Sequence, residues 1–269
     1  MSHLSAPTRS VSLSSRARLL LAFVRRDVAA RYQGTLLGGF WVLLAPFLLL
    51  MVYTFVFGHV LKSRWGSDQD TASFALTLYS GLLLNGILAD SLSRAATVIH
   101  GHGNYVKKLV FPLEILPLAL VLSALVNAII GFLILALLLP LLGHVPSWKI
   151  LLVPLMLLPM LLCASGLAWF FAALGAYFRD ISQFIQLLLV LILFISPVLY
   201  PLSALPENLR AYLALNPLTI PLEMIRHAFF GTPMPSTGQV MAYLGASSLV
   251  SLLGLLWFQR MQDGFADVL

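Results

Sequence analysis

From Thr35 to about Val60 the chain carries no charged residue. This run directly follows an arginine-rich segment, Arg25-Arg26-Asp27-Val28-Ala29-Ala30-Arg31-Tyr32-Gln33-Gly34. An apolar run of that length exceeds the ~20 residues that cross a hydrocarbon core as a helix. Lipid tolerates only structures that satisfy their own backbone polar groups, which for single apolar runs means α-helices. Five further runs repeat the pattern, at about 73–95, 115–142, 150–178, 183–202 and 239–259. With the first, at 35–61, they predict an all-α integral membrane protein of six spans. Apolar residues make up 60% of the chain and charged residues 10%, against about a quarter charged in soluble domains.

Charge gathers at the ends of these runs and gives them a direction. Six of the sixteen Lys and Arg residues precede the first span, and in the six-span reading eleven of the sixteen fall on that side. Positive residues collect on the cytoplasmic face, so both termini are expected there. Pro117 and Pro140 in span three, and Pro154 and Pro159 in span four, predict tilt or kinks. The net charge of +6 is accounted for by this bias, so no nucleic-acid partner is expected. The segment Leu19 to Val24 is too short for the apolar core of a cleavable signal.

Several chemistries have no residues to carry them. Cys163 is the single cysteine, so no disulfide and no cysteine metal cluster can form within the chain. His100 and His102 have no carboxylate or thiolate nearby, so no metal site is expected. No phosphate loop, zinc-protease helix or nucleophile elbow occurs. Asp90 lies four residues before Arg94, the spacing of a local ion pair on a helix. Ionisable groups at midplane, the usual mark of an ion-coupled carrier, are missing, as is an internal repeat. A membrane chain with neither engine nor ion relay takes its energy from a partner.

Two segments are neither spans nor tight turns. In 96–114, Asn104 is placed to cap a short helix carrying Tyr105, Lys107 and Lys108, which Pro112 would end; a plain solvated loop is the competing reading. Segment 201–238 contains six prolines yet is largely apolar. The break at Asn216-Pro217-Leu218-Thr219-Ile220-Pro221 precedes a short helix, Leu222 to Phe230, with Glu223 and His227 on one face. Two short helices are expected there, dipping into the outer leaflet or packed on the spans. Amphipathic structure at the interface is the alternative.

Four segments, in this order, resemble the permease subunits of bacterial ATP-binding-cassette exporters for polysaccharides and polyol phosphates. They are Arg26 to Trp41 with Ala45-Pro46 and Tyr53-Thr54-Phe55-Val56-Phe57; Lys107-Lys108-Leu109-Val110-Phe111-Pro112-Leu113-Glu114-Ile115-Leu116-Pro117; Tyr177-Phe178-Arg179-Asp180-Ile181; and Ser196-Pro197-Val198-Leu199-Tyr200 through Asn216-Pro217-Leu218. The resemblance extends over nearly the whole chain. It implies a homodimer with two separate cassette ATPase subunits, which would bind ATP and magnesium; this chain would bind no cofactor and would not itself be an enzyme. It implies a lipid-linked substrate of the O-antigen, capsule or teichoic acid type.

The resemblance also assigns parts. Residues 1–34 would form a cytoplasmic tail and an interface helix at about 14–33, and 35–269 a single transmembrane domain. A coupling loop at about 96–110 would seat in the ATPase through His102, Asn104, Tyr105, Lys107 and Lys108. Short gate helices at about 201–232 would involve Asn216, Pro217, Glu223 and Arg226. Arg25, Arg26 and Arg31 could attract phosphates of the lipid carrier, or simply anionic lipid. Trp41, Tyr53, Phe57, Tyr79, Phe194 and Tyr200 could line a path on which sugar slides over ring faces. Facing lipid or filling helix contacts is the other use of such rings. Tyr53 and Phe57 share a face, one helical turn apart. Competing functions are export of a small hydrophobic compound and a membrane-embedded enzyme on lipid-linked sugars; the second needs a carboxylate cluster that the sequence lacks.

Overall fold

The computed structural model describes residues 13–31, 33, 40–53, 55–56, 71–106, 111–141, 146–200, 206, 212–213 and 215–268. Among the described residues all regular structure is helical. In chain order the helices are α1 (Leu13–Ala30), α2 (Trp41–Tyr53), α3 (Thr71–Gly101), α4 (Gly103–Val106) and α5 (Ile115–Leu141). After a 3-10 turn, Trp148–Leu152, come α6 (Val153–Met156), α7 (Leu158–Tyr177), α8 (Ile181–Ile195), α9 (Thr219–Phe230), α10 (Thr237–Met261) and, after a second 3-10 turn, α11 (Phe265–Val268).

Among the described residues four segments are long and apolar enough to cross a membrane: Ser73–Gly101, Ile115–Pro140, Trp148–Tyr177 and Thr237–Val268. They correspond to predicted spans two, three, four and six. Span one is represented by α2, thirteen residues, with parts of 35–61 outside the described residues. Predicted span five is shorter than read. The helix α8 has fifteen residues, roughly 22 Å at 1.5 Å per residue, and ends at Ser196 instead of near 202. Ser196 is extended, with φ −81° and ψ 153°, because the residue before a proline is pushed out of the helical region. Its N–H still bonds back to the Ile192 and Leu193 carbonyls.

Proline also divides span four. Pro154 and Pro159 sit in the first turns of α6 and α7, and the helix breaks between them at Leu157. Span three, where tilt or a kink was expected, is continuous in its helical hydrogen bonding from Ile115 to Leu141. Pro117 falls in its first turn, where no intrahelical N–H bond is lost, and Pro140 is its penultimate residue. The second span runs six residues beyond the predicted 95, to Gly101, because Ala95, Ala96, Val98 and Ile99 continue its buried face.

The core is centred on α3, whose Phe74, Leu78, Leu84, Ile87, Leu88 and Leu92 are all buried. The antiparallel α5 and the parallel α7 flank it. Helices α7 and α10 also run parallel, and their backbones touch. A Cβ on Gly166 would lie 2.3 Å from the Val250 carbonyl oxygen, and one on Gly254 would lie 2.1 Å from that of Gly166. A Cβ on Gly175 would press as closely on α3, 2.0 Å from the Ala96 carbonyl oxygen. Without water to expel, helices in lipid gain contact by such small-residue crossings. The amino end of α10 is fixed by a capping box, with Ser236 accepting from the Gln239 N–H and Gln239 accepting from the Ser236 N–H.

Candidate coupling and gate sites

One site forms where α1 meets the carboxyl end of α3 and the amino end of α5. Helix α1 is amphipathic because Leu19, Leu20, Phe23, Val24 and Val28 fall on one face and Arg18, Leu21 and Arg25 on the other. Phe23 enters an aromatic group with Tyr105 and Phe111, each 5.6 Å from it between ring centroids; Tyr105 and Phe111 are 4.9 Å apart. The Arg26 guanidinium stands 4.5 Å over the Phe23 ring, near enough for a cation–π attraction. It also lies 3.5 Å from the Tyr105 hydroxyl and 3.0 Å from His102 Nε2.

These contacts assign the imidazole. Arginine can only donate, so His102 Nε2 accepts. The other ring nitrogen, Nδ1, is 2.9 Å from the Val98 carbonyl oxygen, which can only accept, so Nδ1 carries the proton. His102, Tyr105 and Arg26 therefore meet. Asn104, expected to cap the short helix, is instead the second residue of the single turn α4 and is exposed. The helical turn is closed by backbone, Tyr105 N–H to the His102 carbonyl at 2.8 Å. Lys107 and Lys108 lie outside the described residues.

Beside the rings is a charged cluster. Asp27 accepts from both terminal nitrogens of Arg94, one bond measuring 2.9 Å, and from the Ser123 hydroxyl at 2.5 Å. Arg31 pairs with Asp90 and lies 3.6 Å from Asp27. The expected local pair, Arg94 to Asp90, is also present at 3.8 Å, but both groups have nearer partners on α1. Burial alone would raise the Asp27 carboxyl. The bonds from Arg94 and Ser123, with the charges of Arg94 and Arg31, outweigh burial and hold it below 3.8. Arg16 forms a further pair with Glu114 at 3.3 Å, and the Glu114 carbonyl accepts from the Trp169 indole at 2.9 Å.

Of the three arginines assigned to lipid phosphate, then, only Arg25 lies on the exposed face without a described polar contact. Arg26 and Arg31 turn toward the protein. Sequence reasoning missed Asp27, Phe23, Phe111 and Ser123. The signal that could have found Asp27 is its position as the one acidic residue of a basic helix.

The second site lies at the opposite end of α3, where α9 packs. A Cβ on Gly81 would meet Val198 at 3.0 Å and Leu222 at 3.2 Å. Asn216 fixes the turn into α9, accepting from the Leu218 N–H at 2.9 Å and donating to the Ile192 carbonyl at 3.1 Å. The Pro217 carbonyl accepts from Tyr243 at 2.7 Å. Tyr200 donates to the Phe194 and Ile195 carbonyls at the end of α8. Arg226 is only 5% exposed and donates to the Val198 carbonyl at 3.4 Å. Glu223 is half-buried; burial pushes its carboxyl up, against the opposing charge of Arg226. His227, expected to share a face with Glu223, accepts from Lys149 at 3.0 Å and donates to the Thr232 carbonyl. Gly231 closes α9 in the left-handed region at φ 68°. The first of the two expected short helices lies largely outside the described residues.

The aromatic residues expected along a path are not gathered in one place. Trp41 on α2 and Phe194 on α8 are exposed, at 37% and 62%. Tyr79 is buried at 3% between α3 and α5, its hydroxyl facing Gly131. Tyr53 ends α2, and its side chain and all of Phe57 lie outside the described residues. Among the described residues no group of three metal-ligating side chains occurs.

The family of ABC-2 type transporters matches residues 18–230. The chain is 31% identical over 256 residues to the O-antigen export system permease protein RfbA of Myxococcus xanthus, covering 93% of this chain and 94% of that one. It is 25% identical to an O-antigen export system permease protein RfbA of Klebsiella pneumoniae, covering 93% and 95%. It is 26% identical over 250 residues to the polysialic acid transport protein KpsM of Escherichia coli, covering 90% and 93%.

Proposed function

This chain belongs to the ABC-2 type transporter family, and from that premise we propose that it is the transmembrane subunit of an exporter for a cell-surface polysaccharide. The observation that carries this reading is the 31% identity, over 93% of this chain, with an O-antigen export permease. The chain is a multi-pass protein of the inner membrane and a transport subunit, not an enzyme. ATP would be hydrolysed with magnesium on a separate cassette ATPase, two copies of which would serve a homodimer of this chain. The substrate is a lipid-linked polymer of the O-antigen type.

The geometry supports a route for the mechanical step. An ATPase bearing on the turn 102–106 meets Tyr105 and His102, which hold Phe23 and Arg26 of α1. The Asp27 cluster ties the same helix to α3 and α5. A displacement of the turn therefore reaches both spans at once. At the other end, α9 is held to the end of α8 by Asn216 and Arg226. A shift of α8 draws on α9, which supports an outer gate there. Exposed aromatics such as Trp41 and Phe194 are available to a path; the burial of Tyr79 favours packing for that residue.

The reading is tested by deleting the gene in its own host. Surface polysaccharide should vanish while lipid-linked polymer accumulates on the cytoplasmic side, and restoration should need both this chain and its ATPase. Undiminished surface polymer in the deletion strain would refute it.

A further inference from the structure

The crossing of α7 and α10 leaves a groove of about 500 Å³ on the outside of the bundle. Its floor is Gly166 and Gly254, and its walls include Phe170, Leu253 and Trp257. The two glycines let the helix backbones touch at the crossing, which forms the bottom of the groove. Of the residues lining it only Arg260, at one end, is charged. No carboxylate among the described residues lies within ion-pair distance of that guanidinium.

We propose that this groove holds one acyl chain of an anionic phospholipid, with the lipid phosphate on Arg260. Three observations lead there. The groove opens from a span, so the medium that fills it is the bilayer, and its apolar lining accepts hydrocarbon at no desolvation cost. From Arg260 back to Val250, the far end of the lining on α10, is ten residues, roughly 15 Å of helix, which is half of a ~30 Å hydrocarbon core. The groove thus matches the depth of one leaflet. The leaflet is the one on the α1 side, since Tyr177 at the end of α7 bonds the Met261 carbonyl at 2.8 Å and Gly175 abuts Ala96 near the end of α3. Trp257 is 38% exposed, one turn from Arg260, and its ring lies 5.8 Å from Phe170. Indoles favour the headgroup level, so Trp257 and Arg260 mark the depth at which a phosphate sits. The inference rests on α10 spanning the membrane and is independent of which polymer is exported.

The test uses the full chain in phosphatidylcholine vesicles and the fluorescence of Trp257, taken as the difference between the wild type and Trp257→Phe. Brominated phosphatidylglycerol should quench this signal saturably, at about fivefold lower mole fraction than brominated phosphatidylcholine, the preference that one basic group near a membrane surface confers. Arg260→Gln should make the two lipids equal, and Arg260→Lys should keep most of the preference, which separates loss of charge from loss of fold. Equal quenching by both lipids in the wild type, or a preference unchanged in Arg260→Gln, overturns the proposal. So does stronger displacement by a polyprenyl phosphate than by unbrominated phosphatidylglycerol, which would assign the groove to a lipid-linked chain.

Discussion

Asp27 accepts hydrogen bonds from both terminal nitrogens of Arg94, a residue 67 positions away on another helix. The two side chains are 19% and 34% exposed, so water screens the pair only in part. It is the joint at which a surface helix becomes part of the bundle.

Removing one partner should therefore cost more than an ordinary surface pair. Asp27→Asn and Arg94→Gln should each lower stability by about 1.5–3 kcal/mol, the range for hydrogen bonds to charged groups. The double variant should lose less than the sum of the two, since they share one interaction. Thermal unfolding in detergent measures both effects; simple additivity would show that the pair contributes nothing jointly.

The same carboxyl sets an acid limit. Its folded value is held below 3.8, so its stabilisation is complete above about the ordinary value and is lost as pH falls through the folded one. The stability difference between the wild type and Asp27→Asn should stay constant from pH 7 to pH 5 and shrink only below about pH 4. A difference that changes near neutrality would point to another titrating group.

At the aromatic dock, ring area should matter more than the phenol. The Tyr105 hydroxyl is a long 3.5 Å from Arg26, whereas its ring meets both Phe23 and Phe111. Tyr105→Phe should assemble with the ATPase almost normally. Tyr105→Ala forfeits two ring pairs of about 0.5–1.5 kcal/mol each and should weaken co-purification. Equal behaviour of the two variants would remove the ring from the coupling role.

The glycine crossing should tolerate no side chain at all. Gly166→Val places carbon atoms against the Val250 carbonyl and should cost at least the about 1–3 kcal/mol of overpacking. Leu253→Ala, on the exposed side of the same crossing, should cost little. Comparing membrane-inserted yield and melting temperature for the two distinguishes backbone contact from general apolarity.

The parts legible in sequence were those set by local composition. Long apolar runs marked the four long spans, and four ordered segments pointed to the family to which the chain belongs. The length of α8 was misjudged because apolarity continues past Ser196 while backbone geometry does not. Arg26 and Arg31 looked like surface charge because their partners, His102 and Asp90, come 76 and 59 residues later. Arg226 was assigned to the outer gate by the resemblance alone; it is buried against a carbonyl that only the folded turn at Val198 brings near. Pairings across that distance carry no periodic signal, and no single window of sequence contains both halves.

The Asp27 joint also sets an order in time. Its third partner, Ser123, lies 96 residues downstream. At the usual ~5–20 residues per second of synthesis, that residue is made some 5–20 seconds after Asp27. Arg94, 67 residues downstream, is made first; until then α1 has neither partner in place and has only its own apolar face to rest on the bilayer. A nascent chain halted before α5 would have Arg94 but not Ser123 to offer Asp27, so the joint closes in two steps, the second of them a late event in biogenesis.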